Sequence, residues 1–218
     1  LGAPARKYLT PMQTRPWQAR RLSTMMLGTV QFGMAYGVAN RTGQPDDRAV
    51  RAMVAAAIEG GVNCIDTAAA YGTSEAVLGR VLRDLGVGDQ ILVVTKVRAL
   101  TPEELASPAA TRAAITDSVA ASRQHLGLDC LPLVLFHREA DRLYLDELLA
   151  LRERGWLQHA GVSADNPPGP AAVLAGDARV SALQLPANLL DRRHLRSATL
   201  GRAQARGLGI FIRSAYLQ

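Results

Sequence analysis

Four side chains with titratable groups lie at or just beyond the ends of apolar runs in this 218-residue sequence: Asp66, Tyr71, Lys96 and His137. Lys96 is the most informative, because the chain has only two lysines against 23 arginines. A composition that favours arginine on the surface gives no reason for a lysine at the end of a predicted strand. A compact ammonium, unlike a guanidinium, can sit beside a phenol and lower its pKa. The four side chains are therefore candidates for proton chemistry.

These four residue types have a coherent task at a carbonyl group. Lys96 beside Tyr71 would make the phenol a usable proton donor, and Asp66 would pair with Lys96 and fix its position. His137 could donate a hydrogen bond to a carbonyl oxygen, and a carbonyl held between a phenol and an imidazole is ready to accept hydride. Each side chain also has a structural explanation: a helix cap, a loop anchor, an edge lysine with a solvated head and a satisfied strand-end histidine. Because the four fall on three successive units of one alternating pattern, a shared site is favoured over four separate explanations.

The elements that must position these side chains follow a regular alternation of strand and helix. Residues 62–79 show the unit: an apolar run ends in Asp66, a small-residue loop carries Tyr71, and an amphipathic helix begins at Thr73 and Ser74. The pattern predicts strands over residues 25–32, 62–66, 91–96, 131–136, 157–163, 180–185 and 208–214, and helices over residues 45–59, 73–86, 110–127, 145–155, 171–175 and 191–207. This alternation predicts an α/β fold with a parallel sheet and helical crossovers, either a barrel or a doubly wound sheet. The first strand is not followed by a Gly-x-Gly-x-x-Gly turn and the chain has no phosphate-binding loop, so a dinucleotide must be held in another way.

Charge is distributed unevenly along the chain, whose formal net charge is +6. Residues 1–45 contain six basic residues and no acidic one, and the remainder is balanced. We therefore predict a basic, poorly ordered leader over residues 1–21, one domain over residues 22–218, and no binding of nucleic acid. No apolar run approaches the roughly 18 residues of a membrane span, so no membrane association is predicted. Cys64 and Cys130 lack metal-ligand spacing, which predicts free thiols in a reducing, cytoplasmic compartment and no metal site.

Several short motifs together resemble the aldo-keto reductase family over about residues 25–218. They are Ile65-Asp66-Thr67-Ala68, Tyr71-Gly72, Ser74-Glu75, Leu78-Gly79, Val94-Thr95-Lys96 and Leu135-Phe136-His137. The resemblance implies a (β/α)8 TIM barrel that binds NADPH, with NADH possible, and reduces a small-molecule carbonyl substrate. It also implies that Tyr71 is the proton donor, that Lys96 and Asp66 tune it, and that His137 orients the carbonyl.

Later residues extend the resemblance to cofactor contacts. Gly28 and Thr29 match positions beside the nicotinamide, and Ser163 and Gln184 match contacts to its carboxamide. Two segments that are typical of the bacterial branch are Asn188-Leu189-Leu190-Asp191-Arg192-Arg193 and Arg213-Ser214-Ala215-Tyr216-Leu217, the latter placing Ser214 among the predicted cofactor-binding residues together with Asp66.

Two positions depart from the family pattern. Ala164 stands where many members have asparagine after the serine, which removes one expected carboxamide contact. Arg213 stands where many members place an aromatic ring under the nicotinamide, and its planar guanidinium could stack there instead.

The chain begins at Leu1 rather than methionine and ends just after the seventh predicted strand, so we expect a fragment truncated after strand 7. The family's phosphate-gripping loop, eighth strand and last helix would follow, and residues 1–218 alone should be poorly stable because an apolar sheet edge is left open. Two other functions fit the same residues. One is a nicotinamide-binding regulatory or assembly subunit with little turnover, and the other is a barrel aldolase or isomerase with Lys96 as a Schiff base. The carbonyl substrate and the oligomeric state are left open.

Overall fold

The computed structural model describes residues 11–166, 168–176 and 178–216, and a curled parallel sheet of seven strands lies at its centre. An antiparallel hairpin of β1 (Thr14–Trp17) and β2 (Arg20–Ser23) precedes it; the sheet strands are β3 (Leu27–Gly28), β4 (Cys64–Asp66), β5 (Leu92–Val97), β6 (Leu131–Phe136), β7 (Leu157–Ser163), β8 (Ala182–Pro186) and β9 (Gly209–Arg213). Strands that are consecutive in the chain are neighbours in the sheet, from β3 to β9. The predicted α/β class and the seven parallel strands are confirmed.

A helix follows each sheet strand before β9, as the alternation predicted. The helices are α1 (Val30–Gly33), α2 (Asp47–Glu59), α3 (Ser74–Leu85), α4 (Pro108–Leu126), α5 (Leu145–Glu153), α6 (Pro168–Gly176) and α7 (Thr199–Ala205). The ends of α4 follow local chemistry: the Ser107 side chain accepts a hydrogen bond from the Ala110 N–H at one end, and Gly127 with φ 66° closes the other. In the described ranges no helix is both long and apolar enough to cross a bilayer.

The two faces of the sheet bury different sets of apolar side chains because successive strand residues point to opposite sides. The face toward the helices carries Ile65, Val93, Val134, Val162 and Leu183, which pack with the buried stripes of the helices. The inner face forms a second cluster in which Trp17 and Leu22 of the hairpin join the strand residues Cys64, Leu92, Val94, Leu133, Leu135, Ala182 and Phe211.

The start of the chain differs from prediction in two ways. Residues 14–21 of the expected leader are not disordered but belong to the hairpin, whose Trp17 is buried against Phe211 and His159 at ring centroid distances of 5.8 and 5.0 Å. Residues 1–10 of that leader lie outside the described part of the chain. The first predicted strand is much shorter than residues 25–32, because Phe32 is buried on α1 rather than in the sheet.

The sheet has two free edges, β3 and β9. A groove of about 920 Å³ lies beside β9, and it is lined by residues from the hairpin, the segment before β3, α7 and the strand itself.

Candidate active site

A buried ion pair links the ends of β4 and β5. Asp66 is the last residue of β4, and Lys96 lies two residues beyond Val94, the position on β5 that pairs with Asp66. The Lys96 side chain is fully buried, and its Nζ donates to Asp66 Oδ1 and to the Thr67 carbonyl oxygen at 2.8 Å each. Burial lowers the pKa of Lys96, whereas the facing carboxylate of Asp66 raises it. A charged pair held in this way fixes the ammonium at one point of the site.

Tyr71 lies against this pair, on the loop between β4 and α3. Its hydroxyl is 3.4 Å from Lys96 Nζ, and the ammonium lies 4.9 Å from the centre of its ring. The loop is packed closely onto α1: a Cβ at Gly33 would lie 1.8 Å from the Tyr71 carbonyl oxygen, so only glycine fits there. Close packing of this loop on α1 therefore helps to position the phenol beside the ion pair.

The pKa of Tyr71 is raised, which is opposite to the direction expected from Lys96 alone. Burial is the largest cause and the carboxylate of Asp66 the next, while the guanidinium of Arg213 lowers the pKa. The expectation failed because burial of the phenol dominates its pKa, and the charge of Lys96 is already paired with Asp66 at 2.8 Å. The phenol consequently keeps its proton across the physiological pH range, as a proton donor must before it reacts.

His137 follows β6 and faces the phenol. The two rings meet edge to face, with centroids 5.6 Å apart and planes at 83°. Burial, followed by the charge of Lys96, lowers the pKa of His137 to about 4. The imidazole is therefore neutral near pH 7, with one N–H available for donation. Asp66, Tyr71, Lys96 and His137 thus converge as the sequence predicted.

The side-chain amide of Gln184 lies beside these four residues and is placed to contact a cofactor. It is fully buried at the inner face of β8, and its Nε2 donates to Asp66 Oδ1 at 2.7 Å. Its Oε1 is buried without a hydrogen-bond partner in the described part of the chain. Ser163, at the end of β7, is buried beside it and pairs with Gln184 in the strand register. An orphaned buried carbonyl oxygen is a site for an N–H donor, which the carboxamide of a nicotinamide carries.

The remaining predicted cofactor residues have different surroundings. Thr29 is buried, and its hydroxyl donates to the Asp66 carbonyl oxygen at 2.8 Å and contacts Ser74 Oγ, so it ties β3 to the end of β4. Gly28 pairs with Asp66 in the sheet, and a Cβ there would meet no atom within 4 Å. Ser214 has a left-handed backbone with φ 59°, and its carbonyl oxygen accepts from Asn188 at 3.1 Å. Among the described residues, no hydrogen bond or ion pair joins Ser214 to the four central side chains.

Glu75 is a buried acid near the site. The sequence motif Ser74-Glu75 included it, but its position beside the site was not predicted. It accepts a hydrogen bond from Thr95 Oγ1, and its charge raises the pKa of Lys96. The helical spacing could have predicted that Glu75 is buried, because it lies on the same face of α3 as the buried Leu78 and Leu82.

Arg213 and Asp165 form an ion pair at the rim of the site, also unforeseen as a pair. Arg213 ends β9 and Asp165 lies in the loop after β7, directly after the buried Ala164. The charge of Arg213 lowers the pKa of Tyr71, Lys96 and His137, so the guanidinium acts on the same small region.

Metal chemistry has no ready ligands in the described ranges, where no group of three or more His, Cys, Asp or Glu side chains could hold a metal ion. Cys64 and Cys130 are free thiols. Burial raises the pKa of Cys64 to about 12, which keeps it unreactive.

Comparison with known proteins places these features in a family. The model of the aldo/keto reductase family matches residues 24–215. An aldo-keto reductase of Mycolicibacterium vanbaalenii is 36% identical over 127 residues, which cover 56% of this chain and 42% of that protein. The chain thus matches less than half the length of this curated relative.

Solved structures agree with the fold. An aldo-keto reductase structure from Pseudomonas aeruginosa is 31% identical, with a TM-score of 0.76, over 96% of this chain and 80% of that one. An aldo/keto reductase from Klebsiella pneumoniae, solved in complex with NADP and acetate, is 21% identical with a TM-score of 0.71, over 89% of this chain and 64% of that one. From the match over residues 24–215, the chain belongs to the aldo/keto reductase family.

Proposed function

We propose that the protein to which this chain belongs reduces aldehydes or ketones with a nicotinamide dinucleotide, NADPH in preference to NADH. When bound, the reduced nicotinamide supplies the hydride that adds to the carbonyl carbon. Tyr71 gives its phenolic proton to the carbonyl oxygen, so hydride and proton together convert the carbonyl group into an alcohol. The observation that carries the proposal is the buried Lys96, 2.8 Å from Asp66 and 3.4 Å from the Tyr71 hydroxyl.

Each side chain of the site has one task in this reaction. The ammonium of Lys96 stabilises the phenolate that Tyr71 becomes once its proton has left. Asp66 holds the ammonium in place through its carboxylate. His137, neutral above about pH 4, donates a hydrogen bond to the substrate oxygen and so aligns it with the phenol.

Other residues of the site fit the cofactor. The unpaired Oε1 of Gln184 would accept from the carboxamide, and Ser163 beside it would provide the second polar contact. Gly28 and Thr29 would line the nicotinamide, with Ser214 at the rim. The partner is a small carbonyl compound, and a cytoplasmic location remains our prediction.

Tyr71→Phe tests the assignment of the proton donor. Because the ring and its contact with His137 remain, the variant should fold while its turnover of a panel of aldehydes falls by about 10²–10⁴-fold. The measurement is steady-state NADPH oxidation with matched thermal unfolding of both proteins. Equal rates for the variant and the parent would overturn the assignment.

The same assay separates the two other functions. A regulatory or assembly subunit would bind NADPH and consume almost none with any aldehyde. A Schiff-base enzyme would be trapped by borohydride with a carbonyl substrate, whereas a Lys96 held by Asp66 should give no adduct.

A further inference from the structure

Glu75 is a buried acid behind the strand that carries Lys96. It lies in the first turn of α3, and its side chain is only 4% exposed. The helix dipole stabilises a carboxylate in a first turn at the protein surface as well, so it gives no reason for burial. A carboxylate in the interior needs hydrogen bonds and opposite charge to offset the loss of water. The partners of Glu75 therefore indicate its role.

The first partner of Glu75 is Thr95 on β5. Thr95 is buried, and its Oγ1 donates a hydrogen bond to Glu75 Oε1. Side chains alternate along the strand: Val93 belongs to the cluster on the helix side and Val94 to the inner cluster. Thr95 therefore faces the helices, whereas Lys96 faces the barrel interior. The hydrogen bond holds β5 at the residue that immediately precedes the lysine.

Ser74, the residue before it, makes the matching contact on the β4 side. Ser74 is fully buried, and its Oγ lies 3.1 Å from Thr67 Oγ1. Thr67 directly follows Asp66, and its carbonyl oxygen accepts a hydrogen bond from Lys96 Nζ at 2.8 Å. The first two residues of α3 therefore hold the chain on both sides of the ion pair.

The neighbouring helices leave most of the Glu75 charge to act on the sheet. His125, at the end of α4, places its Nδ1 3.6 Å from Glu75 Oε2, but its side chain is half exposed. Asp47 of α2 pairs instead with Arg80, on the solvent side of α3. Water screens both of these contacts more than it screens a buried pair.

The charge of Glu75 acts on Lys96 together with groups on the inner face. The titratable and charged side chains around Lys96 there are Asp66, Tyr71 and His137, with Arg213 at the rim. Burial and Arg213 lower the pKa of Lys96, whereas Asp66 and Glu75 raise it. Glu75 is thus a second carboxylate that favours the charged lysine.

We propose that Glu75 is a positioning residue for the reduction: it holds β5 through Thr95, and its negative charge stabilises the Lys96 ammonium from the helix side of the sheet. This inference rests on the proposed reductase function and adds a residue that touches neither substrate nor cofactor. Tyr71 then keeps a charged partner in a fixed place as its phenolate forms.

Glu75→Gln tests the charge, because the amide keeps the size of the side chain and an oxygen that can accept from Thr95. As the pH rises, kcat for aldehyde reduction should be lost about one pH unit earlier than in the parent, since the ammonium is less stabilised. KM for the aldehyde should change by less than about twofold, because Glu75 does not touch the substrate. Glu75→Asp keeps the charge and should stay closer to the pH profile of the parent than Glu75→Gln does.

Glu147→Gln is the matched control, because Glu147 of α5 pairs with Arg112 of α4 at 2.8 Å and is not among the charges that act on Lys96. It should leave the pH profile of kcat unchanged. Identical profiles for Glu75→Gln and Glu147→Gln would overturn the inference. A lower melting temperature in Glu75→Gln with an unchanged profile would also overturn it, by assigning Glu75 to packing alone.

A measurement without turnover separates this inference from the proposed function. The chain has two lysines, Lys7 and Lys96, so a carbon-13 label at lysine Cε gives two NMR signals, which Lys96→Met assigns. In Glu75→Gln the Lys96 signal should titrate about one pH unit lower than in the parent, while the Lys7 signal should not move.

If no aldehyde oxidises NADPH, the reductase proposal fails, and the Lys96 titration alone decides whether Glu75 stabilises the ammonium. The same Lys96 midpoint in the parent and in Glu75→Gln would contradict that role, whatever the kinetics.

Discussion

The two ends of the barrel interior are built from the same strands but bury opposite kinds of side chain. At the amino ends, Trp17 of the hairpin packs on Phe211 within an apolar cluster that includes Leu133. At the carboxyl ends, two residues further along the strands, the inner positions hold Asp66 and Lys96 instead. One end excludes water with apolar area, and the other buries charge at a cost that only pairing offsets. The apolar packing and the titratable side chains are therefore separated along the barrel axis, as in barrel enzymes generally.

Breaking the ion pair should have the largest effect at the carboxyl end. Lys96→Met leaves the Asp66 carboxylate buried with Gln184 as its remaining side-chain donor. We expect turnover to fall by about 10²–10⁴-fold and the free energy of unfolding to fall by about 3–5 kcal/mol. Steady-state kinetics and urea denaturation measure the two effects.

The double variant Asp66→Asn with Lys96→Met is the control for that result. It removes both charges, so it should recover much of the lost stability and remain inactive. Recovery of turnover in the double variant would refute the role given to the ammonium.

Removing a large side chain from the apolar end should lower the free energy of unfolding without changing the rate of the reaction. Trp17→Ala removes a buried ring and should lower the free energy of unfolding by about 3–5 kcal/mol, whereas Trp17→Phe should retain more of the packing. Rate constants per folded molecule should change by less than about twofold, because the site is remote. The separation of the two ends would be wrong if Trp17→Ala lowered kcat at a temperature where it is fully folded.

The smallest expected effect is the pH dependence of stability from His137. Its pKa is about 4 in the folded protein and near 6.5 in an unfolded chain, so between these values the unfolded state binds the extra proton. Folding stability should therefore fall as the pH drops from 6.5 to 4, by on the order of 1–3 kcal/mol from this group. His137→Gln should lose less stability over that window, as seen in melting temperatures. Equal slopes for the two proteins would show that the imidazole is not held neutral.

Much of the barrel was predictable because its strands are bounded apolar runs. The predicted bounds of β6 and β7 agree with the structure, since Leu131–Phe136 and Leu157–Ser163 end at clear polar or glycine signals. The helix before β9 was predicted from residue 191, but α7 begins at Thr199. Asn188 Oδ1 accepts from the N–H groups of Leu190 and Asp191, which competes with helix formation there.

The candidate site was predictable only where chemistry lies at strand ends. Lys96 was conspicuous by its rarity, and Asp66 by its position. The pairing of Arg213 with Asp165 spans 48 residues and leaves no local pattern, so only the three-dimensional structure brings the two together. The hairpin was missed because only Trp17 and Leu22 of its residues pack on the interior, too few for a periodic signal.

In the proposed reaction, a carbonyl carbon receives hydride at the polar end of the barrel while Tyr71 protonates the oxygen. NADPH carrying deuterium at the transferred position of its nicotinamide, incubated with the full chain and an aldehyde, tests it directly. Mass spectrometry should find one deuterium on the carbinol carbon of the alcohol, formed by the parent and almost absent with Tyr71→Phe. Cofactor oxidation that leaves the alcohol unlabelled, or equal labelling by both proteins, would contradict it.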